Sequence, residues 1–290
     1  MSDPYAGYIH VNGRLWPAAR ARVSAFDRGL LYGDGLFETV RAYNNRIFAL
    51  PEHVARMRAS ARFLGIPFPR QSWQRDAVAL LQRNRLCGVD AWVRITLTRG
   101  VGMPGLLPGA RVQPTVVITA GRLAPAIAAA QRRGVRVSLL PFARDGVLAE
   151  HKVLAYLPSV LGKQLAARRR AFEGLFVDGD GHVTEGTTSN LFIRRGQRWL
   201  TPPAARILPG ITRRFVIQLA AAHGLRLEEQ PLTTAEILAA DEAFLTSSLI
   251  ELIPVTAVDK QKVGGGRVGS DTRHLQQLFR QMVDHSLAQP

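Results

Sequence analysis

The sequence predicts an α+β protein built as two domains. The chain has 290 residues, more than one hydrophobic core ordinarily serves, so two cores are expected. Strand-like alternation recurs between segments whose apolar residues follow helical spacing. A small-residue stretch at 124–130, Ala-Pro-Ala-Ile-Ala-Ala-Ala, separates an earlier hydrophobic regime from a later one. The expected arrangement is a small N-terminal α/β domain over 1–123, a linker over 124–130 and a larger C-terminal domain over 131–290.

Taken in order, residues 8–11 and 36–43 read as strands, with Asn44-Asn45 turning the chain into 47–50. Pro51 opens a helix that runs to about Leu64 and stops at Gly65 and Pro67. A second helix covers 73–86, and strands resume at 92–98 and 115–119. Beyond the linker come a strand at 135–140 and a helix at 154–170, where Leu154, Leu157, Val160, Leu161 and Leu165 keep helical spacing. Strands at 174–177 and 182–185 flank the turn Asp178-Gly-Asp-Gly181. The loop 186–189 leads to a further hairpin through Arg195-Gly196. Pro209-Gly-Ile-Thr212 begins a helix ending near Gly224, and a last strand at 243–246 enters Ser247-Ser248.

Lysine and arginine total 38 against 22 acidic residues, a formal charge of +16. The arginines are scattered, without the dense stripe and interleaved aromatics of a nucleic-acid groove, so no nucleic-acid partner is expected. The one cysteine, Cys87, excludes an internal disulfide framework, fits a reducing cytosol and reads as a small core residue. The start, Met-Ser-Asp-Pro-Tyr, has no basic region followed by an apolar run, and no stretch reaches 18 uncharged apolar residues. A cytoplasmic protein with no membrane partner is expected, and no metal site is read.

Only four of the basic residues are lysines, Lys152, Lys163, Lys260 and Lys262, so chemistry that needs a primary amine has few candidates. Lys260 and Lys262 fall in a Gly-rich turn, and Lys163 lies mid-helix near Arg168, Arg169 and Arg170. Lys152 stands at the edge of an apolar pattern, Glu-His-Lys-Val-Leu-Ala-Tyr-Leu157, and is expected to project from a helix start. A partly buried lysine can be tuned as a nucleophile. Other residues add to it. Glu185 closes a strand just before a polar loop. Ile211 and Thr212 open a helix after Gly210, where free N–H groups and the helix dipole suit an anion. Ser247 and Ser248 offer hydroxyls, and Arg56 shares a helix face with His53 and Ser60. Alone, each has an ordinary alternative: a solvated charge, a helix start, a polar turn or a wet helix face. Together, an amine, a carboxylate and phosphate donors match what pyridoxal phosphate (PLP) requires.

Six segments appear in a recognisable order: Phe26-Asp-Arg-Gly-Leu-Leu-Tyr-Gly-Asp-Gly-Leu-Phe-Glu38, His53-Val-Ala-Arg56, Lys152-Val-Leu-Ala-Tyr-Leu157, Glu185-Gly-Thr-Thr-Ser-Asn-Leu-Phe192, Leu208-Pro-Gly-Ile-Thr-Arg213 and Glu251-Leu-Ile-Pro-Val255. Over nearly its whole length the chain resembles the class IV, or fold type IV, PLP-dependent aminotransferases, a family that includes branched-chain and D-amino-acid aminotransferases and aminodeoxychorismate lyases. The resemblance implies a two-domain fold with the cofactor in the cleft, in a homodimer. It implies Lys152 as the Schiff-base lysine, Glu185 as partner of the pyridine nitrogen and Tyr156 beside the cofactor's phenolic oxygen. Arg56, Ile211, Thr212 and Ser248 match phosphate contacts, with Ser247 beside them. Ala155 departs from an asparagine common in the family, and Ser248 replaces a threonine while keeping the hydroxyl.

The same resemblance implies transamination between an amino acid or amine and a 2-oxo acid, in which the Lys152 amine moves the proton at the substrate's Cα. Tyr156 resembles the transaminases. Thr39, where branched-chain transaminases often have glycine, resembles the lyases, in which a threonine assists catalysis; release of pyruvate and 4-aminobenzoate from aminodeoxychorismate is the alternative. Arg94 matches a carboxylate-binding arginine of branched-chain enzymes, and Arg99 is a second candidate. Tyr32 and Phe37 are candidates for the apolar substrate pocket, with core packing as the alternative. The Arg-x-His pair of D-amino-acid aminotransferases has no counterpart in residues 101–107.

Overall fold

The computed structural model describes residues 7–109, 112–144 and 146–288. They form two units: one comprises the chain up to Leu123 together with His151–Ala155, the other Ala124–Glu150 and the chain from Tyr156 onward.

The first unit contains β1 (Tyr8–Val11), β2 (Arg14–Pro17), α1 (Arg28–Tyr32), β3 (Gly35–Tyr43), β4 (Arg46–Ile47), α2 (Leu50–Phe63), α3 (Trp73–Arg83), β5 (Ala91–Val101) and β6 (Gln113–Arg122). Its antiparallel sheet has the order β2-β1-β6-β5-β3-β4. Side chains alternate across a strand, so Leu36, Val40 and Ala42 of β3 face one way. There they join Leu50, Met57 and Ala61 of α2 and Ala77, Leu80 and Leu81 of α3 in one core. Burying each such leucine contributes about 1.5–3 kcal/mol. Asn44 and Asn45 both take positive φ, 46° and 69°, the left-handed conformation that asparagine tolerates in tight hairpins. The helix expected over 73–86 ends at Arg83, because Arg85 adopts φ 55° and Leu86 N–H turns back to the Leu81 carbonyl. Cys87, expected in the core, follows that reversal and is exposed.

The helix expected from residue 154 starts only at Leu157, as α5 (Leu157–Arg168). Backbone groups ahead of it are committed elsewhere: Leu154 N–H donates to the Gly35 carbonyl, Phe37 N–H to the Lys152 carbonyl, and Leu36 bridges Val153. Pro158 then takes a position in the first turn that suits proline. Lys152 therefore rides on an extended segment beside β3, not on a helix start. That segment groups with the first unit rather than with the later residues.

The second unit begins with α4 (Ala126–Arg133), so most of the expected linker is helical, as an alanine-rich stretch favours. Then follow β7 (Val135–Leu140), α5, β8 (Glu173–Val177), β9 (His182–Gly186), β10 (Asn190–Arg195), β11 (Arg198–Thr201), α6 (Ile211–Ala222), β12 (Arg226–Glu229), β13 (Leu232–Thr233), α7 (Thr234–Leu238), β14 (Glu242–Ser247), β15 (Glu251–Val258), β16 (Gln261–Lys262) and α8 (Ser270–Ala288). The sheet order is β12-β11-β10-β14-β15-β7-β8-β9-β13, with β16 on β15. Pairing is parallel at β15–β7, β7–β8 and β11–β12. Pro254 sits within β15, yet the parallel pairing with β7 begins only at Val255, so its missing N–H leaves no gap in that ladder. Among the described residues no helix is long and apolar enough to cross a membrane.

Candidate functional site

In the first unit, Phe37 and Thr39 point to the sheet face opposite the core, and Thr39 lies directly across from Arg94 of β5. The Arg94 guanidinium carbon is 3.8 Å from the centre of the Phe37 ring and Lys152 Nζ is 4.6 Å from it. Two cations thus share one buried aromatic ring, a contact that strengthens as water is excluded. His151 holds the segment on its other side: Nδ1 is 3.0 Å from Ser60 Oγ, and the imidazole stacks on Phe63 at 4.3 Å. Of the four lysines, Lys163, Lys260 and Lys262 are exposed, and Lys152 is half-buried.

Arg56 points instead toward Glu38 on the core side of β3. Its Nε donates to Oε1 at 2.8 Å and its Nη2 to Oε2 at 2.7 Å, while His53 Nδ1 lies 2.6 Å from Oε2. Burial would raise the Glu38 pKa, but the Arg56 charge, His53 and their hydrogen bonds bring it down to about 2. Burial holds the His53 pKa below its ordinary value despite the carboxylate. Glu38 ends the first motif but is given no role by the sequence, although it falls at a core-facing position of β3 where only a paired charge is tolerable.

Arg99 and Tyr32 are not brought to the Phe37 face. Arg99 is buried, with Nε donating to Asp34 Oδ2 at 2.7 Å, Nη1 to the Gly65 carbonyl at 2.6 Å and Nη2 to the Leu64 carbonyl at 2.8 Å. Asp34 also takes Arg28 Nε at 2.8 Å. These two arginines outweigh the effect of burial and keep the Asp34 carboxyl below its usual range. Arg99 therefore serves as a structural tie, and of the two arginines Arg94 alone sits at Phe37. Tyr32 is exposed on α1, packed against Arg28, and its hydroxyl accepts from Gly105 N–H at 3.1 Å.

In the second unit, the buried carboxylate of Glu185 stands one residue before the end of β9. Arg144 Nη2 lies 2.5 Å and Nε 3.1 Å from Oε1, while Leu208 N–H at 3.1 Å and Asn190 Nδ2 at 3.4 Å reach Oε2. Neither Arg144 nor Asn190 was predicted. Asn190 lies inside the Glu185-to-Phe192 motif, but Arg144 is remote in sequence and carries no local signal. Asn190 Nδ2 also donates to the Leu208 carbonyl at 3.0 Å, joining β10 to the approach of α6. Gly210, the N-cap of α6, offers no side-chain cap, leaving first-turn N–H groups such as those of Ile211 and Thr212 without one. A Cβ on Gly210 would lie 2.0 Å from Asn190 Oδ1, so glycine is required there by packing.

Tyr156 precedes α5 and donates its hydroxyl to the Thr187 carbonyl at 3.1 Å. Burial raises its pKa, partly offset by Arg144, which keeps the phenol a neutral donor. Ser247 ends β14 and Ser248 opens the turn into β15. Gln131 of α4 braces that turn by donating to the Ile250 carbonyl at 2.9 Å and to Glu251 at 3.0 Å.

The model of the family described as Amino-transferase class IV matches residues 35–258. The chain is 38% identical to a putative branched-chain-amino-acid aminotransferase of Methanocaldococcus jannaschii, over 94% of this chain and 95% of that protein. It is 34% identical to a D-alanine aminotransferase of Bacillus licheniformis, over 94% and 95% respectively. The chain belongs to the class IV aminotransferases. A solved branched-chain amino acid aminotransferase of Escherichia coli has the same fold, with a TM-score of 0.89 at 30% identity over 96% of this chain and 95% of that one. This class IV aminotransferase is an enzyme of the PLP-dependent transaminase type, and a solved relative holds pyridoxamine 5'-phosphate. The donor set suits that cofactor in kind: a half-buried amine, a buried carboxylate, and an uncapped 12-residue helix start that carries the Thr212 hydroxyl in its first turn.

Proposed function

We propose that this class IV aminotransferase uses Lys152 as the amine that bonds PLP, and Glu185, Tyr156, Arg56, Ile211, Thr212, Ser247 and Ser248 to hold it. The observation that carries the reading is the setting of Lys152, half-buried against Phe37 while the other three lysines are exposed. When bound, PLP supplies a carbonyl for the substrate nitrogen and a ring that spreads the charge left when Cα loses its proton. The Lys152 amine holds and moves that proton. Glu185 provides the carboxylate for the ring nitrogen, and Arg144 and Asn190 fix its orientation. Arg56, already aligned by Glu38, and the start of α6 donate to the phosphate.

Arg94 is the proposed cation for the substrate carboxylate, and Phe37 the apolar surface beside it. The substrates are then an L-amino acid with an apolar side chain, the branched-chain class included, and a 2-oxo acid. The D-alanine reading is disfavoured because residues 101–107 lack an Arg-x-His pair. Thr39, half-buried across from Arg94, favours a second reading, aminodeoxychorismate lyase. Absorbance of the bound cofactor, followed with single L- and D-amino donors and no acceptor, separates the two. Conversion by L-branched donors is expected; a protein that no donor converts, yet that releases pyruvate from aminodeoxychorismate, would be the lyase.

A homodimer fits the first unit's surface. Leu30, Leu31, Met103, Leu106 and Leu107 are all exposed. Arg28 joins α1 to the loop by donating to the Gly105 and Leu106 carbonyls at 2.8 and 2.9 Å. Exposed apolar side chains gathered on α1 and the loop tied to it are what a subunit interface would cover. The cytosol, where amino acids and 2-oxo acids circulate, is the proposed location.

A further inference from the structure

We infer that Glu173 is a positioning residue for the catalytic chemistry: its buried carboxylate folds the Thr187-Thr188-Ser189 loop and so places both Glu185 and Tyr156. This rests on the cofactor roles proposed above for Glu185 and Tyr156.

Glu173 opens β8 and is 0% exposed. A buried carboxylate is tolerated only when its oxygens are well supplied with donors. Here Oε2 accepts from Thr188 Oγ1 at 2.8 Å and Ser189 Oγ at 3.3 Å. Oε1 accepts from Thr187 Oγ1 and from Gly174 N–H at 3.0 Å, with Lys163 Nζ of α5 as counter-charge at 3.5 Å. Three consecutive hydroxyls can reach one carboxylate only if the chain wraps around it. The backbone records that wrap: Gly186 N–H donates to the Ser189 carbonyl at 2.7 Å and Thr187 N–H to the Gly174 carbonyl at 3.0 Å. Space is short inside it, since a Cβ on Gly186 would lie 2.3 Å from Ser189 Oγ and 3.1 Å from Glu173 Cγ.

The loop ends are the residues that matter to the site. Glu185 precedes it across Gly186, Asn190 immediately follows it, and Asn190 Nδ2 donates to Glu185 Oε2. Thr187, its first residue, presents its carbonyl to the Tyr156 hydroxyl. One carboxylate outside the proposed contact set therefore fixes a carboxylate and a phenol within it. Displacing a reacting or supporting group by about 1 Å costs on the order of 10²-fold in rate, so a loosened loop is felt in the chemistry and not only in stability.

The test compares Glu173→Gln, Thr188→Val and Glu185→Gln in the reconstituted holoenzyme. It reads the pH midpoint of the cofactor absorbance, PLP affinity, kcat and KM, and amide exchange at Gly186 and Thr187 without cofactor. Glu173→Gln is expected to speed exchange at both amides, weaken PLP binding about tenfold, the scale of one lost hydrogen bond to a charged group, and move the absorbance midpoint in the same direction as Glu185→Gln. Thr188→Val should do the same to a smaller degree and decides the matter should Glu173→Gln fail to fold. The inference is overturned by a folded Glu173→Gln, or in its absence a Thr188→Val, that keeps wild-type spectrum and affinity while Glu185→Gln alters both. If Glu185→Gln also leaves them unchanged, the role proposed for Glu185 fails, and this inference falls with it.

Discussion

Arg56 grips the two carboxylate oxygens of Glu38 with parallel hydrogen bonds of 2.8 and 2.7 Å on the core side of the first unit. A bidentate pair of this kind fixes the plane of the guanidinium as well as its charge. The Glu38 pKa, about 2 against an ordinary 4.5, makes stability depend on pH. A depressed carboxyl pKa adds stability that is fully present above the unfolded value and is lost as pH falls from about 4.5 toward 2, on the order of 3 kcal/mol in all. Glu38→Gln should flatten that acid limb and destabilise the protein at neutral pH by about 3–5 kcal/mol, the cost of breaking a buried pair from one side. Urea unfolding across an acid series checks this; identical acid slopes in both proteins would count against it.

The two candidate arginines of β5 should separate cleanly. Arg99→Ala removes three part-buried hydrogen bonds and is expected to lower the melting temperature strongly, through a loss of about 3 kcal/mol or more. Arg94→Ala should leave the melting temperature near wild type while raising KM for the amino donor about 10–100-fold. A normal KM in Arg94→Ala would remove it from the substrate site.

Gly210→Ala probes the join between β10 and α6. The added methyl would meet Asn190 Oδ1, so the helix start must shift, at a cost of about 1–3 kcal/mol. Weaker PLP binding is expected, read by equilibrium titration of the apoprotein. Wild-type affinity would show that the phosphate is held elsewhere.

Leu106→Asp with Leu107→Asp puts charge into the exposed patch of the first unit. Sedimentation should show a dimer for the parent chain and a smaller species for the variant. A monomeric parent, or an unchanged variant, would contradict the proposed interface.

Much of the fold is legible in the sequence because local signals agree there. The alternation in β3, the paired asparagines after it and the proline opening α2 each state a backbone requirement that tertiary packing then respects. Lys152 shows the limit. Helical spacing from Leu154 onward is real, but the Leu154 N–H is taken by the Gly35 carbonyl, far earlier in the chain, and a bond of that range leaves no local trace. The α8 helix is different: Leu275, Leu278, Phe279 and Val283, all buried, keep helical spacing, so its signal is present though no helix is predicted there. At the site, motif residues such as Glu185 and Arg56 are visible as types at spacings. What they pair with is not: Glu38 ends a motif without its pairing to Arg56 being legible, and Arg144 and the loop-holding Glu173 carry no motif, because an ion pair is defined by the folded chain and any one charge in a sequence reads as solvated.

Lys152 alone is proposed to bond the cofactor, and every other role assigned at the site depends on it. Borohydride reduction of the PLP-loaded protein, with digestion and mass spectrometry, tests this most directly. A phosphopyridoxyl mass is expected on the peptide containing Lys152, lost together with the cofactor's visible absorbance and turnover in Lys152→Ala. The label on the peptide of Lys163, Lys260 or Lys262, or a coloured and active Lys152→Ala protein, would contradict it.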